Sequence, residues 1–318
     1  VWAGGRRLIL KEYLKPDEFD AAPLREVKAL ALLAPLDIAP QPVFYQPPAP
    51  PLGPIVVYAY MPGEMWDRRR PGAAELAQLA GVWVKMNAVP GECLWLSRGQ
   101  ERSFDETAAH FRGVIRSYAD WVRERFPAGK NAAELLESLL ECRRAVLFEL
   151  EERVPVLCFC RADSRFANVI TRPDGRLGLV DWEDSGLRDP ARDLADIVTH
   201  PNQEDLLSPD EWLAFMDPYL AIRTSFDPDV QRRMQLYEAV FPIFWLVTLL
   251  QEGMQRTSVG ELMDWDVNGL PAAEKLWRYW ARSLAWPEPD FGDQMAALKA
   301  LVFFPSVASI NTNKGSVI

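Results

Sequence analysis

Between residues 160 and 195 the chain reads "CRADSRFANVITRPDGRLGLVDWEDSGLRDPARDLA", and Asp163, Asn168 and Asp181 within it could share one piece of chemistry. A carboxylate can orient a hydroxyl and accept its proton, while a second carboxylate and an amide oxygen suit a hard cation such as magnesium. Phosphoryl transfer needs these parts, because its catalysis rests on positioning and on neutralising phosphate charge. The spacing alone says little, since Asp-x4-Asn turns up by chance about once in a chain of this length. Context says more. "VPVLCFC" reads as a strand, "NVIT" opens another, Pro173-Asp174-Gly175 makes a tight turn, and "RLGLVDW" returns antiparallel. Asp163 and Asn168 then sit on a loop ahead of the hairpin and Asp181 just past its second strand, so all three can face one pocket. In "DPARDLA", Asp189 reads as a helix N-cap with Pro190 in the first turn.

Other elements must carry this site. "RRLILKEYL" is a strand-like run after a Gly-Gly turn, and "APLREVKALALLAPL" has the spacing of an amphipathic helix closed by Pro35. The proline-rich "QPPAPPLGP" leads into a further strand, "IVVYAYMPG", which ends at Pro62-Gly63. Downstream, helical periodicity dominates: "GAAELAQLAGVWVKMNAVP", "FDETAAHFRGVIRSYADWVRERF", "NAAELLESLLECRRAVLFELEER", "SPDEWLAFMDPYLAI" and "EKLWRYWARSLAW". The tail "SVASINTNKGSVI" is polar and expected to fray.

Bulk properties narrow the function. At 318 residues the chain exceeds one ordinary core, so two lobes are expected. A net charge of -10 argues against nucleic acid as a partner and is compatible with a cationic ligand, with plain solubility as the simpler reading. The four cysteines, at 93, 142, 158 and 160, form no C-x-x-C pair and read as reduced core thiols of a cytoplasmic protein. Only His110 and His200 occur, which excludes a His-rich zinc site; each reads as a surface or packing residue. No secretory signal is visible. The apolar run "AVFPIFWLVTLL" is short for a bilayer and contains a proline, so a buried helix and no membrane association are expected.

Taken as an ordered set, these segments resemble the aminoglycoside phosphotransferase and choline-kinase-like family, small-molecule relatives of the protein kinases. The family pattern H-G-D-x-x-x-x-N, D-[WF]-E and G-D-P-x-x-D-L-A stands here as Arg161-Ala162-Asp163…Asn168, Asp181-Trp182-Glu183 and Arg188-Asp189-Pro190…Asp193-Leu194-Ala195. The resemblance covers roughly residues 4 to 255 and implies a bilobal α+β protein kinase-like fold. Residues 1–62 would form an antiparallel nucleotide-binding lobe and 63–318 a helical lobe carrying the catalytic hairpin, 156–182. It further implies Asp163 as catalytic base and Asn168 and Asp181 as magnesium ligands. Lys11 would contact phosphate, paired with Glu26, and the backbone of Val57, Tyr58, Ala59, Tyr60 and Met61 would meet adenine. Arg161, Asp189 and Asp193 would support the loop. The implied cofactors are ATP or GTP with Mg2+, and the implied partner is a small molecule bearing a hydroxyl.

The pattern is broken in three places. The family His-Gly is Arg161-Ala162 here, and a permanent cation under the loop should need a carboxylate such as Asp193. Asn87 replaces a usual His. Nothing before Lys11 resembles a glycine-rich phosphate loop, and Gly4-Gly5 reads as the turn between a second and third strand. A small lobe with few strands, an exposed edge and weak ATP binding is therefore expected, whether from a missing start or a true loss. The alternative to a kinase is a pseudokinase-like binding or scaffold protein. The acidic residues Glu204, Asp205, Asp210, Glu211, Asp264 and Asp266 suit either a cationic acceptor or a solvated face.

Overall fold

The computed structural model describes residues 1–14, 21–67, 69–90, 109, 112–118, 120, 141, 143–256, 266–267 and 270–284. His110, Cys93, Cys142 and Asp264, with most of the expected helix over 104–126 and the polar tail, lie outside them. The chain divides into two compact units, Val1–Glu101 with Arg153–Gln235, and Arg102–Glu152 with Leu236–Ile318. Lys11, Glu26 and the whole 156–182 hairpin fall in the first.

The first unit begins with a four-stranded antiparallel sheet in the order β1-β2-β4-β3. β1 (Trp2–Ala3) and β2 (Arg6–Glu12) are joined by Gly4 and Gly5, whose φ of 55° and 74° suit a tight hairpin turn. β4 (Ile55–Ala59) is central and alternates buried and half-buried positions. Its other neighbour is β3 (Pro42–Gln46), a strand the sequence patterning did not single out; β2 pairs with β4 in a register that sets Lys11 opposite Val56.

α1 (Ala22–Leu33) packs beside this sheet through Ala22, Pro23, Glu26, Ala29, Leu30 and Leu33, a stripe at helical spacing. Pro35 does follow its end, inside a short 3-10 turn over Ala34–Leu36. Glu26 occupies the middle of that apolar stripe, where an ionisable residue needs a partner.

The catalytic segment forms two small sheets. β7 (Val169–Thr171) and β8 (Leu177–Leu179) make the expected hairpin around Pro173-Asp174-Gly175, and β5 (Glu64–Met65) adds to it. β6 (Cys158–Cys160) pairs with β9 (Gly186–Arg188). Cys158 and Cys160 are free, buried thiols with Sγ atoms 3.8 Å apart.

α2 (Ala73–Asn87), α4 (Pro190–Thr199) and α5 (Pro209–Arg223) support these sheets. Trp83 of α2 meets Phe215 of α5 edge-on at 5.7 Å, and Trp66 meets Phe166 likewise at 5.4 Å.

The second unit includes helical residues at 112–118, α3 (Arg144–Glu151), the distal part of α6 (Val230–Arg256), the strands β10 (Asp266–Val267) and β11 (Leu270–Pro271), and α7 (Ala272–Leu284). Buried Arg143 donates to the carbonyls of Ala239 and Ser283, joining α6 to α7. The apolar run expected to be short for a bilayer belongs to this longer α6. Val230–Gly253 is long and apolar enough to cross a bilayer, and 56% of its most apolar stretch is buried inside the fold.

Candidate active site

Lys11 and Tyr13 stand two residues apart, share one face of the β2 segment, and both reach Glu26. Lys11 Nζ lies 2.8 Å from Glu26 Oε2, and the Tyr13 hydroxyl donates to the same oxygen. The ammonium also lies 2.5 Å from Asp181 Oδ1 and 2.8 Å from Glu183 Oε2. Burial disfavours its charge, but Glu26 and Asp181 outweigh burial and hold the Lys11 pKa above the usual lysine range. Glu26 is fully buried, and burial pushes its carboxyl up against the opposing pull of Lys11. Carboxylate oxygens of Glu26, Asp181 and Glu183 come within 4.8 Å of one another, a grouping able to surround a cation.

The loop from Arg161 to Asn168 is fastened through its backbone. Asp193, buried on α4, accepts the N–H groups of Arg161 at 2.7 Å and Ala162 at 3.0 Å. Asp196, one turn on, accepts the N–H of Ser164 at 3.0 Å, and Gln203 Oε1 accepts that of Phe166 at 2.8 Å. Between these anchors Ala162 is forced to a φ of 72°, a left-handed conformation that favours glycine.

Asp163 projects from the fastened loop. Its Oδ2 accepts from Arg165 Nε at 2.7 Å and from Asn168 Nδ2 at 3.4 Å, and its Oδ1 lies 3.5 Å from His200 Nε2. His200 Nδ1 accepts the N–H of Asn202 at 3.2 Å, which leaves the ring proton on Nε2, facing Asp163. Burial alone would raise the Asp163 pKa, but His200, Arg165 and Arg161 overcome it and hold the carboxyl below the usual range. The Asn168 carbonyl accepts the N–H of Val180 at 3.0 Å, one rung beyond β7–β8. That rung brings Asn168 and Asp181 to the same open end of the hairpin. Asp181 itself has a φ of 66°.

Arg161 is buried as expected, but its partners differ from the expected carboxylate. The guanidinium donates to the carbonyls of Asp163 at 2.6 Å, Asp181 at 2.8 Å and Val180, and lies 4.9 Å above the Trp182 ring. Asp193 meets only its backbone. Carbonyl dipoles satisfy Nε and Nη2, while Nη1 is buried without a hydrogen-bond partner. Burial lowers the Arg161 pKa, and the nearby Asp163, Asp181 and Asp193 carboxylates offset part of that.

Asp189 caps α4 by accepting the N–H of Ala191 at 3.0 Å, and forms a bidentate pair with buried Arg233. Asn87 donates to the Phe159 carbonyl at 2.8 Å and accepts from the Tyr219 hydroxyl at 2.6 Å, tying β6 to α2 and α5. In the segment Val57–Met61, the N–H groups of Ala59 and Tyr60 are committed to Gln41 and Arg7 carbonyls. Tyr58 is buried and feels Glu26, while Met61 covers Gly178, where any Cβ would collide with its sulfur.

Lys11, Glu26, Asp163, Asn168 and Asp181 are therefore brought into one cluster. Arg165 and His200 join it without having been anticipated. Arg165 carried no signal beyond standing two residues from Asp163. His200 did carry one: Asp193, Asp196 and His200 recur at helical spacing, on the edge that fastens the loop. Glu211, grouped in sequence with an acidic face, instead closes a capping box with Ser208 and pairs with Arg70.

The model of the phosphotransferase enzyme family matches residues 1–235, which is most of the chain. The chain belongs to the phosphotransferase enzyme family. No curated protein matches it in sequence. Among solved structures, it is similar to a choline/ethanolamine kinase family protein from Mesorhizobium loti at 20% identity and TM-score 0.57, covering 93% of this chain and 88% of that one. It is also similar to choline kinase LicA from Streptococcus pneumoniae, at 19% identity and TM-score 0.60, covering 90% and 88%. Aminoglycoside phosphotransferase APH(3'')-Id from Streptomyces rimosus, in complex with ADP and streptomycin, gives 19% identity and TM-score 0.51 over 76% and 88%. The fold is the kinase-like α+β fold of these phosphotransferases.

The residues suit a divalent cation and a phosphate chain. Four carboxylates (Glu26, Asp163, Asp181 and Glu183) meet three fixed cations (Lys11, Arg161 and Arg165) among the described residues. The cleft offers carboxylate oxygens of the kind a hard cation prefers.

Proposed function

We propose that this family member is a small-molecule kinase that transfers the terminal phosphoryl group of ATP or GTP, with Mg2+, to a hydroxyl. The observation that supports this most is the Lys11–Glu26 pair joined through Asp181 to the Asp163–Asn168 loop. A scaffold would have no physical need to place all five together. Asp163, kept ionised, orients the acceptor hydroxyl and takes its proton as the bond to phosphorus forms. Lys11, held charged by Glu26, is a point charge for phosphate oxygens. Asn168 and Asp181 are the oxygen ligands on offer to magnesium. When bound, magnesium supplies neutralisation of phosphate charge. Backbone groups near Val57–Met61 are the proposed purine contacts, with the Met61–Gly178 contact as the floor.

The structural relatives point to amino alcohols and amino sugars as first acceptors to try, and the net charge of the chain is compatible with a cationic one. The test is phosphate-ester formation, read by mass spectrometry, from ATP or GTP with Mg2+ across choline, ethanolamine and aminoglycosides. A +80 Da product that needs both metal and Asp163 is expected, about 80 Da being the mass of a transferred phosphoryl group. Nucleotide and metal binding without any ester across a broad hydroxyl panel would favour the scaffold reading.

A further inference from the structure

Both oxygens of Asp181 are already taken by side-chain cations: Oδ1 by Lys11 at 2.5 Å and Oδ2 by Arg165 at 3.4 Å. Arg165 differs from Lys11 in what else it holds. Its Nε and Nη2 both lie 2.7 Å from Asp163 Oδ2, so one guanidinium ties the proposed base to the proposed metal carboxylate. Its side chain is also the more exposed, 36% against 26% for Lys11.

The backbone beneath Arg165 is held. Its carbonyl accepts the N–H of Asn168 at 3.1 Å, the preceding residue is fastened to Asp196, and the following one to Gln203. Motion at this point is thus confined to the side chain, a long flexible arm on a fixed pivot. Magnesium demands near-octahedral oxygen geometry at about 2.0–2.1 Å. It cannot reach Asp181 Oδ2 while a guanidinium lies there, and two like charges would repel across that distance.

We infer that Arg165 is a placeholder: it spans Asp163 and Asp181, where a divalent cation and phosphate would be held, and the metal–nucleotide displaces it from Asp181. The released guanidinium stays within reach of the same cleft, where phosphate oxygens are the matching bidentate acceptor. Metal alone therefore competes poorly with Arg165, whereas a metal–triphosphate offers it a new partner. This inference rests on the phosphotransferase reading for the nucleotide, though its metal arm is independent of turnover.

The experiment uses the full chain and Mn2+ as the metal probe, followed by electron paramagnetic resonance of free Mn2+, without nucleotide. Arg165→Gln should bind Mn2+ at least tenfold more tightly than the parent, and the gain should vanish in Arg165→Gln/Asp181→Asn. Arg165→Lys, which keeps the charge on a shorter arm, should stay near the parent. In a second arm, the parent with Mg2+ should prefer ATP to ADP by more than Arg165→Gln does. Equal Mn2+ affinity in parent and Arg165→Gln, or a gain that persists without Asp181, overturns the placeholder. An undiminished ATP preference in Arg165→Gln overturns the handover to phosphate. If the parent binds no nucleotide, the phosphotransferase reading fails, and the manganese arm still decides whether Arg165 holds the metal's place.

Discussion

Asp163 is surrounded by donors, from His200, Arg165 and Asn168, and each favours the ionised carboxylate. Such a group is a weak base in the ground state but a good orienting acceptor for a hydroxyl whose acidity rises as the bond to phosphorus forms. Asp163→Asn keeps the shape and the donor contacts of a neutral oxygen but removes the charge. Turnover should fall by about a hundredfold or more, while nucleotide affinity changes little. Steady-state kinetics beside nucleotide titration checks this, and unchanged turnover would sink the assignment. Ala162 makes a different point. Its φ of 72° costs an L-residue about 1–2 kcal/mol that glycine avoids, partly offset by the greater freedom of an unfolded glycine. Ala162→Gly should therefore raise stability by up to about 1 kcal/mol, seen as a higher urea midpoint at unchanged slope. A lower midpoint would mean that the anchors from Asp193, and not the residue type, set the conformation.

At the scale of elements, α4 is the part that fastens the catalytic loop, and one of its acids makes the fastening depend on pH. Burial raises the Asp196 pKa to about 6, with His200 and the Ser164 N–H acting against the rise. A carboxyl raised from 3.8 to about 6 holds its proton better folded than unfolded. Its stabilising effect is complete below pH 3.8 and is lost as pH rises through about 6. That difference corresponds to about 3 kcal/mol. Asp163, shifted the other way, loses its contribution only as pH falls below its unfolded value, so the windows separate. Stability of Asp196→Asn relative to the parent should thus improve between pH 4 and 6; denaturant titrations at several pH values that run parallel would refute it. The start of this helix was legible in the sequence, announced by Asp189-Pro190; its 193–196–200 edge was not read, and His200 by itself reads as a surface or packing residue. The β7–β8 hairpin was also legible, since its turn residues leave few alternatives. Glu26 was singled out by the family resemblance alone, since an exposed helix residue fits its place in the sequence equally well. What escaped has physical reasons. β5 and β9 span two or three residues, too short for a period-two pattern, and exist because a partner strand offers hydrogen bonds. β3 begins at Pro42 on an edge, where proline breaks no ladder. Arg161 has the nearby acids that were expected, Asp163, Asp181 and Asp193, but its guanidinium hydrogen-bonds carbonyls. Those acceptors escaped because carbonyls belong to no residue type and leave no trace in a sequence.

On the scale of the whole molecule, the proposed site lies entirely within the unit formed by Val1–Glu101 and Arg153–Gln235, assembled from segments more than a hundred residues apart. Lys11 reaches Asp181 across 170 positions in sequence, so the site can exist only when β2, α1, the 161–168 loop and the Asp181 turn are folded together. A ligand that binds there must stabilise all of them at once. By linkage, a nucleotide at a hundred times its dissociation constant adds about 2.7 kcal/mol to the unit that binds it. Magnesium without nucleotide should add almost none, since Asp181 and Asn168 are too few ligands for it and Lys11 and Arg165 already crowd Asp181. Hydrogen exchange with mass spectrometry resolves this by segment. ATP with Mg2+ should slow exchange at 6–13, 55–61, 161–168 and 177–186, and Mg2+ alone should leave all four unchanged. In Asp181→Ala the protection that remains with ATP should no longer depend on Mg2+. Protection confined to other segments would place the nucleotide elsewhere, and an intact magnesium requirement in Asp181→Ala would reduce that residue to an anchor for Lys11.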